Sequence, residues 1–333
     1  MGCNVAIAGV TGAVGQEFLS ILSERNFPAT SYRMLASSRS AGKKITFQNK
    51  EYIIEELTRD SFKGIDIALF SAGASRSKEF ASAAVAAGAV VVDNSSAFRM
   101  TPDVPLVVPE INPQAIKQHK GIIANPNCST IIAIVPVWPL HKANKIKRMV
   151  VSTYQAASGA GQAAMLELEE QAREVLAGKP VTCKALKYQL AFNLFSHNSA
   201  IGPNGYNEEE MKMVKETHKI FDCSDIAITC TCIRVAVLRA HCESINLEFT
   251  DPITPEEVRE LLNTAPGVTV LDDRASNRFP MPIDATGKDN VFVGRIRQDE
   301  SIPDNRGINL WVAGDQIRKG AALNAIQIAE RLL

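Results

Sequence analysis

The sequence predicts a mixed α/β protein in two parts, a Rossmann-type doubly wound parallel-sheet domain and an α+β domain on a mainly antiparallel sheet. Three observations carry this. The chain opens as strand, glycine turn and helix in NVAIAGV, TGAVG and QEFLSILSER. Short unbroken apolar runs then alternate with helical segments, as parallel strands covered on both faces require. Beyond Cys128 the strands lengthen and begin to alternate, the pattern of a sheet with one covered face.

Taken in order, Phe18, Ile21 and Leu22 fall at helical spacing and mark the packing face of the first helix. SYRMLASS follows as a second strand and IDIALFSA, residues 65–72, as a third. A helix is expected from residue 78 in KEFASAAVAAG, then a strand in AVVVDNSS. TPDVPLVVPEINP, residues 101–113, holds four prolines and reads as an irregular crossing, because proline removes a backbone donor and fixes φ. Past Cys128 the expected strands include residues 148–156, one long run at 229–249, and 290–299. Residues 314–333 are expected to form a helix with Ile317, Ala321, Ile328 and Leu332 on its core side, packing back on the first domain. The expected division is 1–127 with 314–333, and 128–313.

Composition narrows the function classes. Thirty-six basic and 36 acidic side chains balance in a chain of 333 residues, so the totals show no footprint for nucleic acid or an anionic membrane. Seven scattered cysteines, an odd number, suit a reducing compartment better than a disulfide framework. Only Cys230 and Cys232 lie close together, and no second pair gives zinc spacing, so no metal is expected. The first residues lack the pattern of a secretory signal, and no apolar run reaches the roughly 18 residues that span a bilayer. The expected location is cytoplasmic.

Gly9, Gly12 and Gly15 stand at three-residue intervals between strand and helix. Glycines there permit a tight turn and let a pyrophosphate approach the helix N-terminus, so a dinucleotide is the expected ligand. The alternative is a purely structural turn. Where the second strand ends, Ser37, Ser38 and Arg39 replace the carboxylate that would bind the ribose of NAD. Hydroxyls and a planar guanidinium suit a 2′-phosphate, so NADP is expected.

NPNCSTII places Cys128 where a loop meets the start of an apolar helix. Unpaired amides and the helix dipole there stabilise a thiolate, although free cysteine is also a common small core residue. Gln155 and a glycine loop follow in YQAASGAG, and Arg234 and His241 stand seven apart in RVAVLRAHCESI. On one strand an odd separation sends two side chains to opposite faces, so a turn near Leu238 or Arg239 is needed to aim both at one pocket. In YNEEEMKMVKETHKIF, Asn207 and Glu210 form a capping box, and Met211, Val214, His218 and Phe221 the expected buried stripe. Glu209 and Lys212 then share another face, either in a pocket or as a solvated ion pair.

GVTGAVG, NSSAFR, NPNCST, YQAASGAG, the EEMK stretch, CIRV with its following His, and GDQIRKGAALN together resemble the aspartate-semialdehyde dehydrogenase family over essentially the whole chain. The resemblance implies NADPH-dependent reduction of L-aspartyl 4-phosphate to the 4-semialdehyde through a cysteine thioester, a step in aspartate-family amino-acid biosynthesis. It implies Cys128 as nucleophile, His241 as general acid/base, Gln155 orienting the acyl group, and the Cys128 amide with Asn127 at the oxyanion. Arg234 would meet the carboxylate, Glu209 the ammonium, and Arg99 with Lys212 the phosphate. The cofactor set becomes Gly9, Thr11, Gly12, Ala13, Val14, Gly15, Ser37, Ser38, Arg39, Ser71, Gly73, Asn94, Ser158, Gly159 and Gln316. The family also implies a homodimer or homotetramer, joined through the second domain. Two departures from its pattern are Ala236 for the usual Pro, and Gln316 where many relatives have Asn. The alternatives are N-acetyl-gamma-glutamyl-phosphate reductase, whose cysteine typically follows Gly and precedes Tyr, a non-catalytic NADP-binding protein, and a cysteine hydrolase.

Overall fold

The computed structural model describes residues 2–333, which divide into two compact units, 2–127 with 321–333 and 128–320. The return to the first unit therefore begins at Ala321, not at residue 314.

In the first unit, β1 (Cys3–Ala8) leads through the glycine turn into α1 (Ala13–Glu24), whose buried face includes Phe18, Ile21 and Leu22. Next come β2 (Ala29–Ala36), a hairpin of β3 (Lys44–Phe47) and β4 (Lys50–Ile53), and β5 (Glu55–Glu56). Then β6 (Ile67–Phe70), α2 (Ala74–Ala86), β7 (Val90–Asp93) and β8 (Ile122–Ala124) complete a six-stranded sheet of order β5-β2-β1-β6-β7-β8. Every pair in it is parallel. The strand order reverses between β1 and β6, so their C-terminal ends open a crevice where open α/β sheets bind ligands. α2 starts four residues earlier than expected, at Ala74 directly after Gly73.

In the second unit α3 (Cys128–Ala143) precedes β9 (Ile146–Gln155), α4 (Gln162–Leu176), β10 (Leu194–Ser196) and α5 (Glu208–Phe221). β11 (Ala227–Val235), β12 (His241–Phe249), α6 (Pro255–Asn263), β13 (Val268–Val270), α7 (Pro282–Ala285), β14 (Val291–Gln298) and β15 (Gly307–Gly314) follow. The seven-stranded sheet has order β10-β11-β9-β12-β15-β14-β13 and is mixed, with β11/β9 and β13/β14 parallel and the other pairs antiparallel. The single strand expected over 229–249 is two, β11 and β12, which flank β9 on opposite sides.

Two further expectations need correction. The segment from residue 314 is not one helix: β15 ends at Gly314, Asp315 Oδ1 accepts from the amides of Ile317 and Arg318, and a π turn covers Arg318–Ala322 before α8 (Leu323–Glu330). Ile317 and Ile328 are buried, while Ala321 and Leu332 are only half-buried. On α5 the buried face is Glu209, Glu210, Met213, Glu216, Thr217, Ile220 and Phe221; Met211, Val214 and His218 are half-buried. Among the described residues no helix is long and apolar enough to cross a membrane.

Candidate active site

Within the first unit the glycine turn is sterically obligatory at two points. Gly9 has φ +93°, and a β-carbon there would strike the Ser71 carbonyl; one at Gly15 would lie 2.7 Å from Val10 Cα. Gly12 caps α1, and its amide donates to the Gly9 carbonyl at 3.0 Å. Gly73, φ +88°, caps α2 at the end of the next strand, so two helix N-termini open at this crevice. A pocket of about 350 Å³ is lined by Gly9, Thr11, Gly12, Ser37, Ser38, Arg39 and Ser71, with Glu56, Arg76 and Phe80 beside them. Ala13 and Val14 begin α1. Asn94, past the end of β7, accepts from Asn125 Nδ2 at 2.6 Å, while its own amide nitrogen is buried without a hydrogen bond. Such an orphaned donor and the two positive helix ends fit an anionic dinucleotide. Arg99 is buried in this unit, donating to the Asn125 and Asn94 carbonyls at 2.9 and 2.8 Å. Asn127 is buried at the unit's end, just before Cys128.

In the second unit Cys128 is the first residue of α3 and half-buried. Its Sγ stands 3.8 Å from His241 Nε2. Four of the other thiols are poor rivals: burial raises Cys3, Cys230 and Cys232, and pushes Cys242 up to about 12. Gln155 ends β9 and pairs in register with Arg234 on β11, while Cys242 of β12 pairs with Tyr154. β9 thus separates the Arg234 and His241 strands and brings both to one end of the sheet. Left-handed Ala240, φ +73°, makes the turn that the odd spacing required. Gln316 Oε1 holds that turn by accepting from Ala240 N at 2.9 Å, and Gln316 Nε2 donates to the buried hydroxyl of Ser158.

Gln155 Nε2 donates to Ser129 Oγ at 2.9 Å and Glu209 Oε1 at 3.4 Å, and Lys212 Nζ reaches Glu209 Oε2 at 3.1 Å. The capping box places Glu209 here, with Asn207 Oδ1 accepting from Glu210 N and Glu210 Oε2 from Asn207 N, both at 2.9 Å. Arg234 is 2% exposed; its Nη1 donates to the Ala156 carbonyl at 2.6 Å and its buried Nε has no hydrogen bond. Gly159 leaves the space that these groups fill. A β-carbon on it would lie 2.9 Å from Arg234 Nη1 and 3.1 Å from His241 Cε1 and Nε2. Gly320 does the same for the nucleophile, where a β-carbon would come 2.9 Å from Cys128 Cβ.

Sequence reasoning missed Arg76 on the nucleotide pocket, Ser129 beneath Gln155, and His197, whose burial lowers its pKa beside Glu209 and Arg234. It also missed Glu243, two residues along the strand from His241. Glu243 is 0% exposed, neither oxygen has a hydrogen bond, and burial, with Glu209 adding to it, pushes its pKa well above the carboxylate range. The folded chain therefore keeps a proton that the unfolded chain releases above about pH 4.3, and stability falls as pH rises past that value. Glu243→Gln is expected to gain on the native protein as pH rises above about 4.3, where the unfolded chain has released its proton and the folded chain has not. Urea midpoints measure this, and a difference that stays flat with pH would contradict it.

With this geometry in place, known proteins supply the decision. Residues 4–119 match the family description "Semialdehyde dehydrogenase, NAD binding domain", and residues 137–319 match "Semialdehyde dehydrogenase, dimerisation domain". An aspartate-semialdehyde dehydrogenase from Synechocystis is 58% identical over 330 residues, 99% of this chain and 97% of that one. The chain belongs to the aspartate-semialdehyde dehydrogenase family. The Bacillus subtilis family member is 46% identical over 99% of this chain and 97% of its own. A crystal structure of aspartate semialdehyde dehydrogenase II from Vibrio cholerae, complexed with ASA, superposes with TM-score 0.96 at 45% identity, covering 100% of this chain and 98% of that one. The Candida albicans family member with NADP has TM-score 0.77 at 25% identity, with coverage of 100% and 98%.

Proposed function

We propose that the chain is an NADP-dependent aspartate-semialdehyde dehydrogenase that reduces L-aspartyl 4-phosphate to L-aspartate 4-semialdehyde, reversibly, through a thioester on Cys128. The observation that carries this reading is the grouping of Cys128, Gln155, Glu209, Arg234 and His241 at one end of the second sheet. The substrate carries an ammonium, a carboxylate and an acyl phosphate. Glu209 is the acid for the ammonium, and Arg234, with its orphaned donor, the base for the carboxylate. Arg99 and Lys212 are proposed for the phosphate, Gln155 orients the acyl group, and the Cys128 amide with Asn127 receives the oxyanion. Covalent capture divides one difficult displacement into two easier steps.

The cofactor set in the first unit is Gly9, Thr11, Gly12, Ala13, Val14, Gly15, Ser37, Ser38, Arg39, Ser71, Gly73 and Asn94, with Ser158, Gly159 and Gln316 from the second. Bound there, reduced NADP supplies the hydride. Arg39 is exposed on its pocket wall, free to meet a 2′-phosphate. Replacing Arg39 by Ala is expected to weaken NADP at least about tenfold more than NAD, as loss of a charge-assisted contact predicts. Equal losses in titrations with the two nucleotides would remove Arg39 from this role.

Self-association is proposed through the sheet face opposite the catalytic groups, where Ser152, Tyr154, Ser244, Asn246 and Trp311 are half-exposed, giving a homodimer or a tetramer of dimers. A cytoplasmic location suits the free thiols. The deciding assay is phosphate-dependent NADP reduction with aspartate semialdehyde. Activity on the N-acetylglutamate semialdehyde instead, or on neither, would overturn the reading.

A further inference from the structure

We propose that His197 is a further substrate-binding residue, whose Nε2–H donates to the α-carboxylate of the substrate beside Arg234. This deepens the function proposed above and rests on it. His197 stands one residue past β10, and its amide still donates to the Cys232 carbonyl at 2.9 Å, so the antiparallel pairing of Phe195 with Arg234 and Ser196 with Ile233 runs on to it. Facing residues of such a pair share one side of the sheet, and successive residues alternate between sides. The side chain of His197 therefore rises on the side that carries Arg234.

The loop into α5 fixes the ring and its hydrogen. The Ser199 amide donates to His197 Nδ1 at 3.3 Å, and Ser199 Oγ lies 3.1 Å from the same nitrogen. A backbone N–H can only donate, so Nδ1 is the acceptor and the neutral ring carries its hydrogen on Nε2. Ser199 Oγ accepts in turn from the Glu209 amide at 3.2 Å, which ties the ring to the residue proposed for the ammonium. Nε2 has no hydrogen-bond partner among the described residues. The charges that act on the ring are Glu209, Glu210 and Lys212 of α5 and Arg234 of β11. Burial is the largest influence and lowers the pKa; the two cations add to it and the two carboxylates oppose it, so the ring is neutral near pH 7.

The ammonium and the carboxylate of the substrate sit on one carbon, so the groups that receive them must be neighbours. Glu209 and Arg234 are those groups in the function proposed above, and both act on His197. Arg234 has an Nη1 hydrogen committed to the Ala156 carbonyl, which leaves its unpartnered Nε to approach the carboxylate. A carboxylate offers two oxygens and about four lone-pair sites, more than one donor fills. A neutral N–H beside Arg234 supplies the second donor without setting another cation against the ammonium that Glu209 holds. The contact is the same before and during hydride transfer, so it contributes to binding and leaves the chemical step unchanged.

The test is steady-state kinetics with aspartate semialdehyde, NADP and phosphate on His197→Ala and His197→Gln. His197→Ala is expected to raise the Michaelis constant for the semialdehyde at least about tenfold, as loss of a hydrogen bond to a charged group predicts, with kcat and the Michaelis constant for phosphate held within about threefold. The carboxamide of His197→Gln can still donate and should recover most of that loss. As a competitive inhibitor, 3-aminopropanal, which is the semialdehyde without its carboxylate, should bind both variants as it binds the native enzyme. An unchanged semialdehyde constant, equal loss in both variants, a fall confined to kcat, a rise for phosphate, or an equal rise for 3-aminopropanal would each overturn the proposal. If His197→Ala does not fold, His197→Phe keeps the bulk of the ring without its donor and is held to the same outcomes. No turnover by the native enzyme would overturn the function and this subsite together, whereas native turnover with any of those contrary results overturns the subsite alone.

Discussion

Replacing Cys128 by serine is expected to remove turnover, by on the order of 10⁶-fold in kcat as for other enzymes stripped of their nucleophile, while NADP still binds. The change removes one polarizable sulfur and little volume at the first residue of α3, so the fold and the first unit's pocket should persist. A serine hydroxyl at that position is hardly ionised at neutral pH and is a far weaker nucleophile than a thiolate. Steady-state assay with nucleotide titration by fluorescence measures both halves. Retained activity would refute the nucleophile assignment, and lost nucleotide binding would mean that the variant no longer isolates the sulfur.

The next largest effect is expected from Gly159→Ala. The added β-carbon has 2.9 Å to Arg234 Nη1 and 3.1 Å to two atoms of the His241 ring, closer than ordinary van der Waals contact. Those groups cannot retreat easily, because Arg234 is tied to the Ala156 carbonyl at 2.6 Å and His241 is fully buried. A displacement near 1 Å in such a site costs about 10²-fold in rate. The expected result is that loss in kcat with a thermal midpoint close to the native value. If Gly159 serves only the cofactor, the nucleotide Michaelis constant will rise instead and kcat will stay.

The glycine turn was legible in the sequence because its signal is local: strand, turn and helix are contiguous, and Gly9 and Gly15 are each required by an atom within ten residues or one strand away. Cys128 at a helix start was legible for the same reason. The meeting of Arg234 with His241 was not, because it depends on β9 entering between two strands that the periodicity read as one, and on a left-handed Ala240 supported by Gln316, 76 residues distant. The buried face of α5 was misread because polar side chains are buried there: Glu209 and Glu210 lie inside with partners, and Glu216 and Thr217 are buried, so a polarity pattern points the wrong way. The helix expected from residue 314 starts later, because β15 runs to Gly314 and the Asp315 side chain then caps the amides of Ile317 and Arg318, ahead of the π turn at Arg318–Ala322. Glu243 carried no signal at all, since an isolated glutamate in an alternating strand reads as solvent-facing.

The most direct test of the covalent scheme is to mix the enzyme with aspartate semialdehyde and NADP in the absence of phosphate, quench in acid and map the adduct by mass spectrometry. One equivalent of NADPH per site and an aspartyl mass on the peptide that contains Cys128 are predicted. An NADPH burst without that mass, or with it on another of the seven cysteines, would contradict the account.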